Sequence, residues 1–233
     1  MSTSVRPLRW HYAGLSGLLA LSACGGGGGG GDAGDPGPVG VGSPSKAQGL
    51  GVGGAAGGTM TLLVLENGEA WGFRNPETDL QSTLRGQVVS PGGNFTFTGN
   101  RYDIASGMIS GSRLTGTVAQ RSSIVATSDQ DESLVLSYRA TYDDPPAVSQ
   151  LNGDYIVSPT ITAAVADGSF RISGLFSGSN CTAEGQIVPR PSGRNVFNLT
   201  ATADGAACPI PRGTPLSGVA HLDTTVTPAR LLF

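Results

Sequence analysis

Chemistry near neutral pH draws on a short set of side chains, and this chain of 233 residues holds few of them. There are three cysteines, Cys24, Cys181 and Cys208, and two histidines, His11 and His221. A thiol can be acylated, oxidised to a disulfide or bound to a metal, and an imidazole can move a proton. His221 lies in "GVAHLD", which reads as a strand with the ring on the face opposite Leu222. That is the setting of an ordinary surface or edge histidine. No G-x-S-x-G elbow occurs from residue 59 onward to give it a nucleophile. The acids gather at "DQDE", 129–132, and at Asp143-Asp144, both in expected loops, where solvated carboxylates are the rule. "DQDE" faintly suggests calcium but lacks the glycine and terminal glutamate of an EF-hand loop. No catalytic residue, metal ligand set or cofactor is assigned.

Aromatic residues are the other lead. Trp71 and Phe73 sit two apart and share one face of a strand, as do Phe95 and Phe97. Tyr138 and Tyr142 share a face further along. Such residues ordinarily fill a core. The sharper reading is a small barrel whose mouth holds one small molecule, with Trp71, Phe73 and Tyr138 facing the ligand.

What positions these residues starts at the front end. Arg6 and Arg9 come with no acid, "AGLSGLLAL" follows from Ala13 to Leu21, and small residues lead to Cys24. A basic start, a short apolar centre and a small-residue cut describe a secretory signal over 1–23. The run is shorter than the roughly 20 apolar residues of a membrane span. From Gly25 to about residue 58 the chain is almost wholly Gly, Pro, Ala and Ser, with Asp32, Asp35 and Lys46 as its charges. Such a segment has too little apolar surface to offset its ordering entropy. It is expected to be a flexible tether over 24–58, with a mean reach of about 30–35 Å. No Gly-Lys-Ser/Thr follows, so the glycines are not a phosphate cradle.

The quartet "LSAC", 21–24, resembles the lipobox of bacterial lipoprotein precursors: an aliphatic residue, two small ones, then cysteine. The resemblance implies cleavage before Cys24 and acylation of its thiol and new amino terminus. Several acyl chains moor a protein firmly where one holds it only marginally. Gly25 rather than aspartate follows Cys24, which by lipoprotein sorting implies the outer membrane.

With Cys24 assigned to lipid, Cys181 and Cys208 are an even pair in an exported protein, and a disulfide is expected. The rival, a metal site, would have only His221 to add once residues 1–23 are gone. The mature chain loses Arg6 and Arg9, leaving 12 bases against 17 acids, a formal charge of −5. With no basic patch, nucleic acid is not an expected partner.

Residues 59–233 alternate apolar with polar and carry a turn signal every 8–12 residues, the signature of an all-β sandwich or barrel. "LVLSYRATY", 134–142, is the clearest strand. "TLLVLENGEAWGFR" reads as a hairpin of 61–65 and 69–74 around Asn67-Gly68 in a type I′ turn. Further strands are expected at 84–89, 94–98, 113–119, 154–157, 168–173, 183–188 and 195–202. "GGNFTFTG", 92–99, echoes "DGSFRISG", 167–174, and each precedes a second glycine-centred strand, "LTGTV" and "AEGQIV". The echo suggests two similar halves, 59–145 and 146–233, with "YDDPPAVSQ", 142–150, as the seam. The preferred architecture is one small antiparallel barrel of eight to ten strands, because closure removes exposed edges where lysine is nearly absent to guard them. "YDIASGMISGSRLTGTV", 102–118, loosely resembles strand pairs in lipid-anchored barrel lipoproteins of the transferrin-binding-protein and factor-H-binding type. The terminal "RLLF" is not read as a membrane barrel's last strand, since most strands are too short and Pro228 interrupts the last. The expected role is a lipid-anchored, non-catalytic β-domain that binds a protein or small molecule. An envelope hydrolase or enzyme inhibitor is the alternative.

Overall fold

The computed structural model describes residues 45–55, 58–74, 80–158, 161–176, 179–204, 210–223 and 230–232, together with 208 and 225. The expected signal, Cys24 and the tether as far as residue 44 lie outside the described residues. Among the described residues, alternating sequence yields fifteen β-strands and no α-helix. Among the described residues, one compact unit takes in the chain up to Arg74 and Ser82–Arg139, and the other takes in Leu80, Gln81 and the chain from Ala140 onward.

The first unit is a closed antiparallel barrel. Its strands are β1 (Gly49–Ala55), β2 (Gly58–Val64), β3 (Glu69–Arg74), β4 (Ser82–Val89), β5 (Asn94–Asp103), β6 (Ile109–Ala119), β7 (Ser123–Ser128) and β8 (Ser133–Tyr138). Each pairs with the next, and β1 pairs with β8 to close the ring. The interior is filled by Leu62, Val64, Leu84, Val88, Phe95, Phe97, Leu114, Ile124, Leu134 and Leu136 among others, all buried. The second unit is a seven-stranded antiparallel meander. It comprises β9 (Gly153–Ser158), β10 (Ile161–Ala166), β11 (Ser169–Phe176), β12 (Ser179–Pro189), β13 (Val196–Ala203), β14 (Pro215–Asp223) and β15 (Arg230–Leu232). Its core gathers Tyr155, Val165, Ile172, Ile187, Phe197, Leu199 and Leu222. The halves therefore do not close one barrel together: the first closes by itself, and the second is a separate sheet.

Three local expectations are corrected. Residues 49–55, assigned to the tether, form β1. Glycine permits this strand: a Cβ at Gly51 would lie 3.1 Å from the Leu136 Cβ, and one at Gly53 would lie 2.0 Å from the Val135 carbonyl oxygen. At these two positions only a residue without a side chain lets β1 approach β8 this closely. At the first hairpin Gly68 alone has a positive φ, and the Leu65 N–H bonds back to the Glu69 carbonyl. The turn is thus a type I turn with a glycine bulge rather than type I′. Strand β8 ends at Tyr138, and Ala140–Asp143 turns as a 3₁₀ helix, so Tyr142 is buried but does not continue the face of Tyr138.

The sequence echo reappears as register. Across β5, β6, β7 and β8, Phe95 pairs with Gly116, Gly116 with Ala126, and Ala126 with Leu134. Across β11, β12, β13 and β14, Phe170 pairs with Gly185, Gly185 with Ala201, and Ala201 with Leu216. The same four residue types recur in the same order at the same ladder positions. The next inward row agrees in kind, with Val118 opposite Ile124 and Ile187 opposite Leu199. One four-strand pattern is thus built twice.

Candidate functional site

Strand alternation predicts that Phe95, Phe97, Gly99 and Arg101 share the inner face of β5. The first two are core residues, and Arg101 lines a hollow of about 50 Å³ at one end of the barrel. Around it stand Arg74 from β3, Ser82 and Leu84 from β4, Ser112 and Leu114 from β6, and Glu132 beside β8. Met60 and Leu134 complete an apolar wall. The volume admits a few waters or a group of similar size.

The charges in this mouth are not equivalent. Arg74 Nη1 donates to both carboxylate oxygens of Glu132, at 3.1 and 3.0 Å, so that pair neutralises itself. Asp129 also lines the hollow but is exposed, where solvent screens it. Asp103, two residues beyond Arg101, accepts both the hydroxyl and the N–H of Ser106; the hydroxyl bond chiefly holds its carboxyl below the usual range. The Arg101 guanidinium is half-buried and makes no hydrogen bond or ion pair among the described residues, while the Asp103 carboxylate acts on it through space. Ser82 is only 2% exposed, and its hydroxyl, which makes no hydrogen bond among the described residues, is not fully enclosed and lines the hollow. The mouth therefore offers donors toward a shared space above a leucine and methionine wall.

The aromatic residues singled out from sequence lie elsewhere. Trp71 and Phe73 do share a face of β3, but Ala70 is the one that points into the barrel core, so theirs is the outer face. Both are buried. Trp71 Nε1 donates to Glu69 Oε1 at 3.2 Å, and Arg85 stacks over the indole at 4.4 Å while bonding the same carboxylate. Neither Trp71 nor Phe73 lines the barrel mouth. Tyr138 faces inward at the opposite end, beside Gly49, Leu136 and Ser123, in a hollow of about 20 Å³. The three do not converge on one ligand site. Of the acid cluster, Glu132 is engaged by Arg74, and Asp143 accepts from Arg194 Nη1 at 2.8 Å.

His221 is the plainest correction. It is 1% exposed, not a surface residue. Nδ1 lies 2.8 Å from the Asn195 carbonyl and Nε2 lies 3.3 Å from Thr141 Oγ1. A carbonyl can only accept, so Nδ1 carries the proton and Nε2 accepts from the threonine hydroxyl. Asn195 Nδ2 ties the knot by donating to the carbonyls of Thr141, at 3.0 Å, and Leu222, at 2.7 Å. Thr141 and Asn195 are themselves buried, so the group fastens the 3₁₀ turn to β13 and β14 rather than presenting a nucleophile to substrate.

Burial depresses the pKa of His221, outweighing the bond to the Asn195 carbonyl and the charges of Asp223 and Asp144, which act the other way. Below the ordinary value of 6.5 the unfolded chain binds a proton that the folded chain refuses. Stability should therefore fall as pH drops through that window, by at most about 1.4 kcal/mol per pH unit. Urea midpoints measured at about pH 7.5 and about pH 5.5 should show the loss, and His221→Gln should flatten it. An identical pH slope in both proteins would refute the assignment.

Cys181 and Cys208 are joined by a disulfide, with Cα atoms 4.6 Å apart. The bond links β12 to the segment after β13 and meets the expectation from cysteine count. Comparisons with protein-family models, curated proteins and solved structures find no match.

Proposed function

We propose that this chain is a lipid-anchored protein of the bacterial cell envelope, moored at the outer membrane through acylated Cys24, whose β-domains bind rather than catalyse. The observation that carries the reading is "LSAC" after a basic and apolar leader and before a glycine run. The two remaining cysteines support it, because a Cys181–Cys208 disulfide suits an oxidising compartment. The barrel mouth supports binding: hydroxyl and guanidinium donors converge there on a small hollow. His221, the imidazole a hydrolase would recruit, is buried with both ring nitrogens hydrogen-bonded, which favours binding over the hydrolase alternative.

Mass analysis of the native protein tests the anchor. The expected product has lost residues 1–23, carries fatty-acyl mass on residue 24, and yields a Cys181–Cys208 peptide pair that separates only with reductant. Recovery of an unprocessed Met1 form in the soluble fraction, with all three thiols titratable, would overturn the proposal.

A further inference from the structure

We infer that the open end of the barrel is a binding site for a small organic carboxylate, held by Arg101 and Ser82 over the apolar wall of Met60, Leu84, Leu114 and Leu134. The inference deepens the binding reading above by naming the class of ligand.

Three observations lead there. The first is charge. Of the four ionisable side chains lining the hollow, Arg74 and Glu132 form an ion pair and Asp129 stands in solvent. The guanidinium of Arg101 feels the Asp103 carboxylate only through space, and its N–H donors make no hydrogen bond or ion pair among the described residues. It presents a planar fork of N–H donors that fits a carboxylate.

The second is the serine. Ser82 is only 2% exposed, yet its hydroxyl makes no hydrogen bond among the described residues and is not one of the fully enclosed unpartnered atoms, so the oxygen keeps access to the hollow it lines. It lines the same hollow as Arg101, and Ser112 adds a half-buried hydroxyl from β6. These groups come from three strands, β4, β5 and β6, that are consecutive in the barrel. A ligand oxygen would complete hydrogen bonds that the fold leaves open.

The third is the wall. Leu84 is paired with Arg101 across β4 and β5, and Leu114 lies two residues from Ser112 on the same inner face of β6. A phosphate or sulfate would place charge against leucine and methionine on that side. A carboxylate on a short aliphatic stem meets donors with one end and apolar side chains with the other. The hollow of about 50 Å³ limits the inserted part to a few heavy atoms, so a longer stem would extend out of the mouth.

The test is a titration of the purified native protein with acetate, butyrate and inorganic phosphate at constant ionic strength. It is followed through the amide signals of Ser82 and Ser112 and the Nε–H of Arg101. Saturable shifts confined to this end of the barrel are expected with both carboxylates. Butyrate should bind several-fold more tightly than acetate, because each added methylene leaves water. Arg101→Gln should weaken butyrate at least ten-fold, and Arg101→Lys should weaken it less. Should Arg101→Gln fail to fold, Ser82→Ala should still lower butyrate affinity several-fold. Shifts that never saturate, an affinity indifferent to both substitutions, or saturation by phosphate alone would each overturn the inference. Such a result would leave the anchor proposal standing, since that is read from the mass of residue 24.

Discussion

A single methyl group added at Gly116 or Gly185 is expected to destabilise the unit that carries it by at least about 2 kcal/mol. The Cβ of an alanine at 116 would sit 2.0 Å from the Val125 carbonyl oxygen and 2.6 Å from the Ala126 Cα. At 185 it would sit 2.0 Å from the Thr200 carbonyl oxygen and 2.7 Å from the Ala201 Cα. Both obstacles are backbone, so no rotamer change relieves them. The sign is what makes the test sharp. Where space allows, Gly→Ala ordinarily stabilises by about 0.4–1 kcal/mol through loss of unfolded-chain entropy. Gly54 in β1 is such a place, with no atom within 4 Å of an added Cβ. Urea unfolding should therefore show a lowered midpoint for Gly116→Ala and Gly185→Ala and an unchanged or raised one for Gly54→Ala. Matching losses at 116 and 185 are expected because the two glycines hold the same place in the repeated row. Midpoints that rise together at all three positions would show that the strands do not approach as described.

That paired glycine was partly legible in the sequence and partly not. The echo between "GGNFTFTG" and "DGSFRISG", and between "LTGTV" and "AEGQIV", aligns Phe95 with Phe170 and Gly116 with Gly185, as the ladders do. The Ala126–Leu134 and Ala201–Leu216 continuations are invisible in sequence because loop lengths differ between strands. Alternation located β8 through Leu134 and Leu136 but could not end it. The pattern runs on through Ala140 and Tyr142, and there tertiary burial of Tyr142, not strand pairing, accounts for the apolar spacing. Strand β1 was missed for the opposite reason: composition reads glycine as linker, whereas here close approach to β8 selects it.

The candidate site was less legible than the fold. Aromatic spacing identified a true shared face on β3, but period alone does not say which face lines the interior. Ala70, a small residue, marks the inner side, while the large Trp71 and Phe73 mark the outer. One signal could have found the mouth. Arg101 falls on the i+2 series of Phe95 and Phe97, and a charged residue on a core-facing series is out of place unless something receives it. Ser82 and Ser112 carried no such signal, being common types whose convergence depends on register between separate strands. His221 was misread because one histidine between alternating neighbours looks like an edge residue. Its partners, Thr141 and Asn195, lie 80 and 26 residues away.

The disulfide is where fold and compartment meet, and its removal should have an effect as large as any substitution in the second unit. Cys181 is buried in the sheet's core cluster and Cys208 packs against it, 27 residues further along. In the chain-entropy model a loop of that length contributes about 3.5 kcal/mol by restricting the unfolded chain. The second unit runs for about ninety residues from Ala140. At roughly 0.05–0.15 kcal/mol per residue, such a unit has only about 5–14 kcal/mol in total. Replacing both cysteines by serine should thus remove a quarter or more of its stability, while the barrel, which holds neither residue, keeps its own. Denaturant titration with separate probes for the units should show the sheet transition moving to lower urea and the barrel transition staying put. Reductant added to the unaltered protein should reproduce the shift, and added to the double serine variant should do nothing. If reductant moves neither transition, the bond contributes no stability, and the support it lends to an oxidising compartment goes with it. A sheet that draws that share of its stability from one bond is more stable where thiols oxidise, which is the physical link between the disulfide and the exported address proposed above.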